Sequence, residues 1–198
     1  MKKFTVMPCK KHIVVFLLSL FTISLNTYPQ DLPVNSGMPG YPAATVPHTE
    51  VRSFYSNILD QEIILYIKLP GDYKKDTTRI YPCWYGTDAN LAFPLVANML
   101  GLFDVPVTVE PQVVLVGIAY KIMDMADWGA WRTRDLTPTN NPAADNYWSG
   151  VFSKVSGRQV EVRTGGAEIF YECIAKEVIP FVELNYRVSP TGRARYSE

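Results

Sequence analysis

Histidine is nearly missing from this sequence: its 198 residues contain two, His12 and His48. Cysteine is scarce as well, with Cys9, Cys83 and Cys173 so far apart that their spacing suits no metal site. An excess of charge of either sign is also lacking. Nineteen basic residues balance nineteen acidic ones, and no basic run lies beyond the extreme N-terminus, so nucleic acid is excluded as an expected partner. No apolar run is long enough to span a bilayer comfortably; the longest runs from Ile13 to Leu25. What is plentiful is core material, 47% hydrophobic and 13% aromatic residues, which fits one globular domain.

The run from Ile13 to Leu25 follows Lys2, Lys3, Lys10 and Lys11 and has the build of a secretory signal, so residues 1–30 are expected to direct export to the periplasm or the medium. An uncleaved membrane anchor is the alternative, since no small-x-small cleavage site follows the run. Cleavage between Asn26 and Gln30 would remove four of the 19 basic residues and leave 15 against 19 acidic ones. Cys9 precedes the apolar run, where it is badly placed to become a lipidated first residue. Cys83 and Cys173 each sit in an apolar stretch, which favours buried thiols over an exported disulfide.

Residues 31–50, "DLPVNSGMPGYPAATVPHTE", are rich in Pro and Gly with neither hydrophobic period, and read as a linker. The folded domain is expected over 51–198. "VRSFYSNI" and "EIILYIKLP" read as an antiparallel hairpin, "RIYPCWYG" as a buried strand and "LAFPLVANMLGLF" as a helix. "PQVVLVGIAY" is nearly continuous in apolar residues, as in a parallel strand buried on both faces. From Lys121 to Thr164 the pattern reads as irregular, a cap holding Trp128, Trp131 and Trp148. A core helix with Ile169, Phe170, Cys173, Ile174, Val178, Phe181 and Val182 on one face follows, with a bend expected at Pro180. The last stretch, "SPTGRARYSE", reads as polar and turn-like. Gly165-Gly166 lacks the lysine and hydroxyl residue of a phosphate loop and is expected only to turn the chain into the helix.

Four stretches, "YGTDANLAFPLVANML", "VVLVGIAY", "WRTRDLTPT" and "TGGAEIFYECIAKEVIPFVELNYRV", resemble in that order the esterase D-like, siderophore-esterase-like group of α/β hydrolases. The resemblance implies the N-terminal half of an α/β-hydrolase sandwich: an antiparallel hairpin leading into a parallel sheet with flanking helices, ending before the nucleophile elbow. It also implies carboxylic-ester hydrolysis of a small-molecule substrate through a Ser-His-Asp triad, without a cofactor or a metal. No catalytic residue can be assigned, because no Gly-x-Ser-x-Gly occurs. Ser149 and Ser156 have glycine on one side only, and His12 and His48 fall in the signal and the linker.

The resemblance does point to an oxyanion-hole turn at Thr87, Asp88, Ala89, Asn90 and Leu91, where Asp88 or Asn90 could instead simply cap the next helix. Arg132, Arg134 and Asp135 are candidates either for binding an acidic or catecholate-like acyl group or for pinning the cap to the sheet. Trp128, Trp131, Tyr147 and Trp148 either line an acyl pocket or form the core of the cap. A truncated, inactive esterase-like chain is thus expected, with a non-catalytic binding or remnant protein as the alternative. Export has a direct check: mass spectrometry of the native protein should find an N-terminus beyond Asn26, and an intact Met1 on cytoplasmic material would reject it.

Overall fold

The computed structural model describes residues 45–104, 112–121 and 124–195. The expected signal at 1–30, with Cys9 and His12, and most of the expected linker lie outside the described residues. Among those described, no helix is long and apolar enough to cross a membrane.

Alternating β-branched and aromatic residues produce the hairpin. β1 (Thr49–Ser56) and β2 (Gln61–Lys68) pair antiparallel from Thr49 opposite Lys68 to Ser56 opposite Gln61. The inward side chains of β2, Ile63, Leu65 and Ile67, are fully buried, as period two dictates when one face meets a core. β3 (Tyr81–Gly86), α1 (Ala89–Gly101) and β4 (Val114–Tyr120) follow. β4 is buried at every position, pairs antiparallel with β2 and parallel with β3, and so forms the spine of the sheet. At Gly117 a Cβ would lie 2.7 Å from the Ala89 Cβ and 2.8 Å from the Phe93 ring. Only glycine there lets α1 lie this close to the sheet. At the end of β2, Lys68, 3% exposed, is paired with Asp104 at 2.8 Å.

Two parts of the chain differ from expectation. The segment read as irregular, Lys121 to Thr164, contains two helices, α2 (Met125–Asp135) and α3 (Pro142–Ser156). Each starts on a side-chain cap: Asp124 accepts from the N–H groups of Ala126 and Asp127, and Asn141 from those of Ala143 and Ala144, with Pro142 in the first turn. Periodicity missed them because neither shows a wide apolar stripe; α3 buries no residue fully.

The second difference is "SPTGRARYSE", much of which is strand. β5 (Val188–Arg195) runs parallel to β3, with Val188 opposite Tyr81 and Arg193 opposite Cys83. The register shift between those pairs gives β5 more residues than β3, so Pro190-Thr191-Gly192 marks an irregularity within a strand. The sheet order is β1-β2-β4-β3-β5. β3 therefore has a neighbour on both sides, and β5 lies at the edge of the sheet.

The core helix is three consecutive pieces, α4 (Ala167–Cys173), a π-helical turn (Ile174–Val178) and α5 (Ile179–Asn185). Pro180 cannot donate to the carbonyl of Lys176, and the winding loosens in the turn just before it. Phe170, Cys173, Val178 and Val182 pack in one cluster with Tyr81, Cys83 and Tyr85 of β3. Ile169, expected on the same face, is 52% exposed. Cys83 and Cys173 are buried thiols, not a disulfide. Burial pushes the Cys173 thiol up to about 11, and the nearby Glu177 carboxylate adds to the shift.

Glu177, on the π-helical turn, reaches the turn between β1 and β2. It accepts from the N–H of Asn57 at 2.9 Å and from the Ser56 hydroxyl, and Ser56 Oγ accepts in turn from the N–H of Leu59 at 3.0 Å. Burial pushes this carboxyl up, yet the donors outweigh it and hold Glu177 below the ordinary carboxylate range. Its contribution to stability is therefore complete above the unfolded value of about 4.3 and is lost as pH falls through the lower folded value. Glu177→Ala is expected to cost about 1–2 kcal/mol at pH 7 and to flatten the acid limb of the stability curve. Thermal melts from pH 7 to pH 3 check both; an unchanged acid limb would contradict the assignment.

Candidate functional site

The carboxyl ends of parallel strands are where open α/β sheets bind ligands. At that end of β3 the chain leaves Gly86, passes Thr87 and enters α1 through Asp88, whose φ of 55° and ψ of 26° are left-handed. Aspartate tolerates that region better than most residues. The Asp88 carbonyl accepts from the N–H groups of Leu91 and Ala92 at 3.0 and 2.9 Å. Its side chain does not cap the helix. The first amides of α1, those of Ala89 and Asn90, therefore receive no carboxylate from Asp88.

The capping role considered for Asp88 or Asn90 is filled by neither side chain. Both carboxylate oxygens of Asp88 accept from Arg132 Nε, at 3.0 and 2.9 Å. The Asn90 carboxamide bonds the backbone of Tyr120, accepting from its N–H and donating to its carbonyl, both at 2.9 Å. Sequence alone could not distinguish these uses from capping, because the partners lie 30 and 44 residues away.

The C-terminal end of α2 supplies the other candidates. Arg134 donates to both oxygens of Asp135, at 2.6 and 3.0 Å, and to Gln61 Oε1 at 2.9 Å. Asp135 is 1% exposed. Burial, and then the charge and hydrogen bond of Asp135, raise the pKa of the Tyr120 hydroxyl. Burial lowers that of Arg134, but Asp135 more than compensates, so the guanidinium stays firmly charged. The "WRTRDLTPT" stretch thereby joins α2 to the start of β2, the end of β4 and the turn after β3. Arg132 also lies over the Trp128 ring, at 5.6 Å from its centroid.

Gly165 and Gly166 have a tighter role than a simple turn. Gly165 has φ of 95° and donates to Thr137 Oγ1 at 2.8 Å; Gly166 donates to the Arg134 carbonyl at 2.8 Å. A Cβ on Gly166 would meet that carbonyl at 2.9 Å. The pair is glycine because α4 begins against the backbone of the arginine segment.

The aromatic candidates do not converge on one pocket. Trp131 meets the edge of Tyr120 at 5.7 Å, whereas Trp148 stacks on Phe152 at 5.6 Å and touches Tyr147 at 5.1 Å, both Tyr147 and Trp148 being exposed. A cleft of about 410 Å³ is lined by Asn140, Asp145, Ser149 and Arg163, and another of about 270 Å³ by His48, Glu50, Tyr73 and Lys75. None of the arginine or tryptophan candidates lines either one. Ser149 Oγ accepts from the Val162 N–H, and Ser156 donates to the Phe152 carbonyl, so both hydroxyls serve the backbone. His48 lies beside Thr49, opposite Lys68, while Tyr120 pairs with Ile63; the two sit about 17 Å apart along β2, at opposite ends of the sheet. Among the described residues, no group of three His, Cys, Asp or Glu side chains could hold a metal ion.

The two arginines predict different costs. Arg134→Ala strands a buried carboxylate and is expected to lower stability by about 2–3 kcal/mol, below the full cost of a broken buried pair because the guanidinium is a third exposed. Arg132→Ala breaks a more exposed pair and should cost about 1 kcal/mol or less. Chemical denaturation of the two variants checks the order; equal losses would contradict it.

No family model matches the chain, and no curated protein does. Solved structures do. An IroE-like serine hydrolase from Shewanella oneidensis is 26% identical with a TM-score of 0.54, over 71% of this chain and 39% of that one. The siderophore hydrolase EstB from Aspergillus nidulans is 23% identical with a TM-score of 0.58, over 79% of this chain and 50% of that one. The BES protein from Bacillus cereus is 22% identical with a TM-score of 0.56, over 80% and 54%. The chain thus spans about two-fifths to one-half of the length of these structures, and within that span it has the fold of the esterase-like α/β hydrolases.

Proposed function

We propose that the chain is the N-terminal part of an exported serine carboxylic-ester hydrolase that acts on a small-molecule ester. The observation that carries this reading is the turn after β3. A left-handed Asp88, held by Arg132, leaves the first amides of α1 without a side-chain cap at the carboxyl end of the sheet. An acyl oxygen that gains negative charge in the transition state needs converging donors at such a place. In this reading the turn at Asp88, Ala89, Asn90 and Leu91 supplies one donor. The residue after a nucleophile serine, carried beyond β5, supplies the second. The likeness to an IroE-like serine hydrolase supports the reaction class, and siderophore hydrolases among the similar structures suggest the kind of ester. In this reading Arg132 stands beside the oxyanion turn, while Arg134 and Asp135 hold α2 to the start of β2.

The 198 residues alone lack the means for this chemistry, having no Gly-x-Ser-x-Gly and only His12 and His48. That same lack favours the second reading, a non-catalytic binding or remnant protein built on the half-fold. Translating the nucleotides downstream in all frames separates the two. A Gly-x-Ser-x-Gly followed by an acid and a histidine supports the hydrolase, and their absence supports the remnant. The 198-residue chain itself is expected to give no saturable hydrolysis of a p-nitrophenyl acyl ester and to scatter light through association at the β5 edge. Turnover by a monodisperse preparation, blocked by a serine-reactive phosphonate, would overturn that expectation.

A further inference from the structure

The pairing of β3 with β4 ends at Gly86 opposite Gly117, yet β4 continues to Tyr120. In an extended strand the N–H and C=O of one residue point to the same side, and at Tyr120 both meet Asn90 instead of another strand. A carboxamide offers one acceptor and one donor in the arrangement of a peptide group. Asn90 therefore occupies the place of the strand residue that β3 no longer provides.

We propose that Asn90 is a positioning residue for the oxyanion turn: by pairing with the Tyr120 backbone it ties the second residue of α1 to the end of β4 and sets the direction of the amides that precede and follow it. The proposal rests on the ester-hydrolase reading of that turn. One further contact stiffens the tie. Asp88, at the entrance of the turn, is held by Arg132 of α2. The turn is thereby fixed on both sides of Ala89, to α2 through Asp88 and to the end of β4 through Asn90. Asparagine alone among the side chains satisfies both Tyr120 groups from this position. A carboxylate offers the acceptor but sets a second oxygen against the Tyr120 carbonyl, and glutamine carries its amide one methylene too far.

Amide-resolved hydrogen exchange and ¹H–¹⁵N shifts of the full 198-residue chain test the assignment. Asn90→Ala is expected to raise exchange at Tyr120, Leu91 and Ala92 by roughly fivefold or more and to shift the Leu91 and Ala92 resonances, while Val116 and Ile118 keep their rates. Asn90→Asp retains the acceptor but sets an oxygen against the Tyr120 carbonyl, so the Leu91 and Ala92 resonances should still shift. An alanine variant with unchanged turn amides, or with exchange raised uniformly along β4, would overturn the proposal. So would an aspartate variant whose turn resonances match the parent, which also decides the matter if the alanine variant does not fold. Either failure leaves the hydrolase reading standing, because that reading is tested by the downstream nucleophile motif.

Discussion

A carboxylate removed from water is the constraint around which this sheet and its helices are arranged. Asp135 is almost wholly buried at the end of α2, and an ionised group there is tolerated only when its oxygens are matched by charge and by hydrogen bonds. Arg134 supplies both, from the adjacent position, and carries the connection on to Gln61 at the start of β2. Burial and then the nearby Asp135 charge raise the pKa of the Tyr120 hydroxyl on β4. Because the Arg134 carbonyl also receives Gly166, the start of α4 is located by the same few atoms. One charge pair thus sets three elements relative to one another, and the turn after β3 is attached to the group through Arg132.

The two ends of the sheet are built for different purposes. At one end, Lys68 and Asp104 are paired within a tight closure, and the Asp104 carboxylate also accepts from the Gly71 N–H. At the other, polar groups are drawn into a network whose members come from α1, α2, β2 and β4, and the helix amides beside it receive no side-chain cap. Closure stabilises the first end. The second retains hydrogen-bonding capacity at the place where parallel sheets receive ligands.

The elements from β1 to β4 were legible in the sequence, because hydrophobic period and turn chemistry agree there. The hairpin, β3, α1 and β4 all appear where alternation, a continuous apolar run or helical spacing indicate them. α2 and α3 were not legible by that route, since they bury narrow faces and lie largely on the surface; their signals were the short caps at Asp124 and Asn141. β5 was hidden because Pro190 and Gly192 resemble a turn when no partner strand is in view. At the site, the positions of Asp88, Asn90, Arg132 and Asp135 could be singled out from sequence. Their pairing could not, because each bond joins residues from different elements and no local pattern encodes the partner.

The parallel orientation of β5 restricts what can extend the sheet. A strand joined to it by a tight turn would have to run antiparallel, and a parallel one requires a crossover of a dozen or more residues, nearly always right-handed. On the inner side, the helical stretch Ala167–Asn185 already serves as the crossover from β4 to β5, packed on the face that carries Tyr81, Cys83 and Tyr85. A right-handed connection leaving β5 in the same outward direction would lay its helix on that same face. The handedness of the backbone therefore assigns the next layer to one side of the sheet before any side chain is chosen.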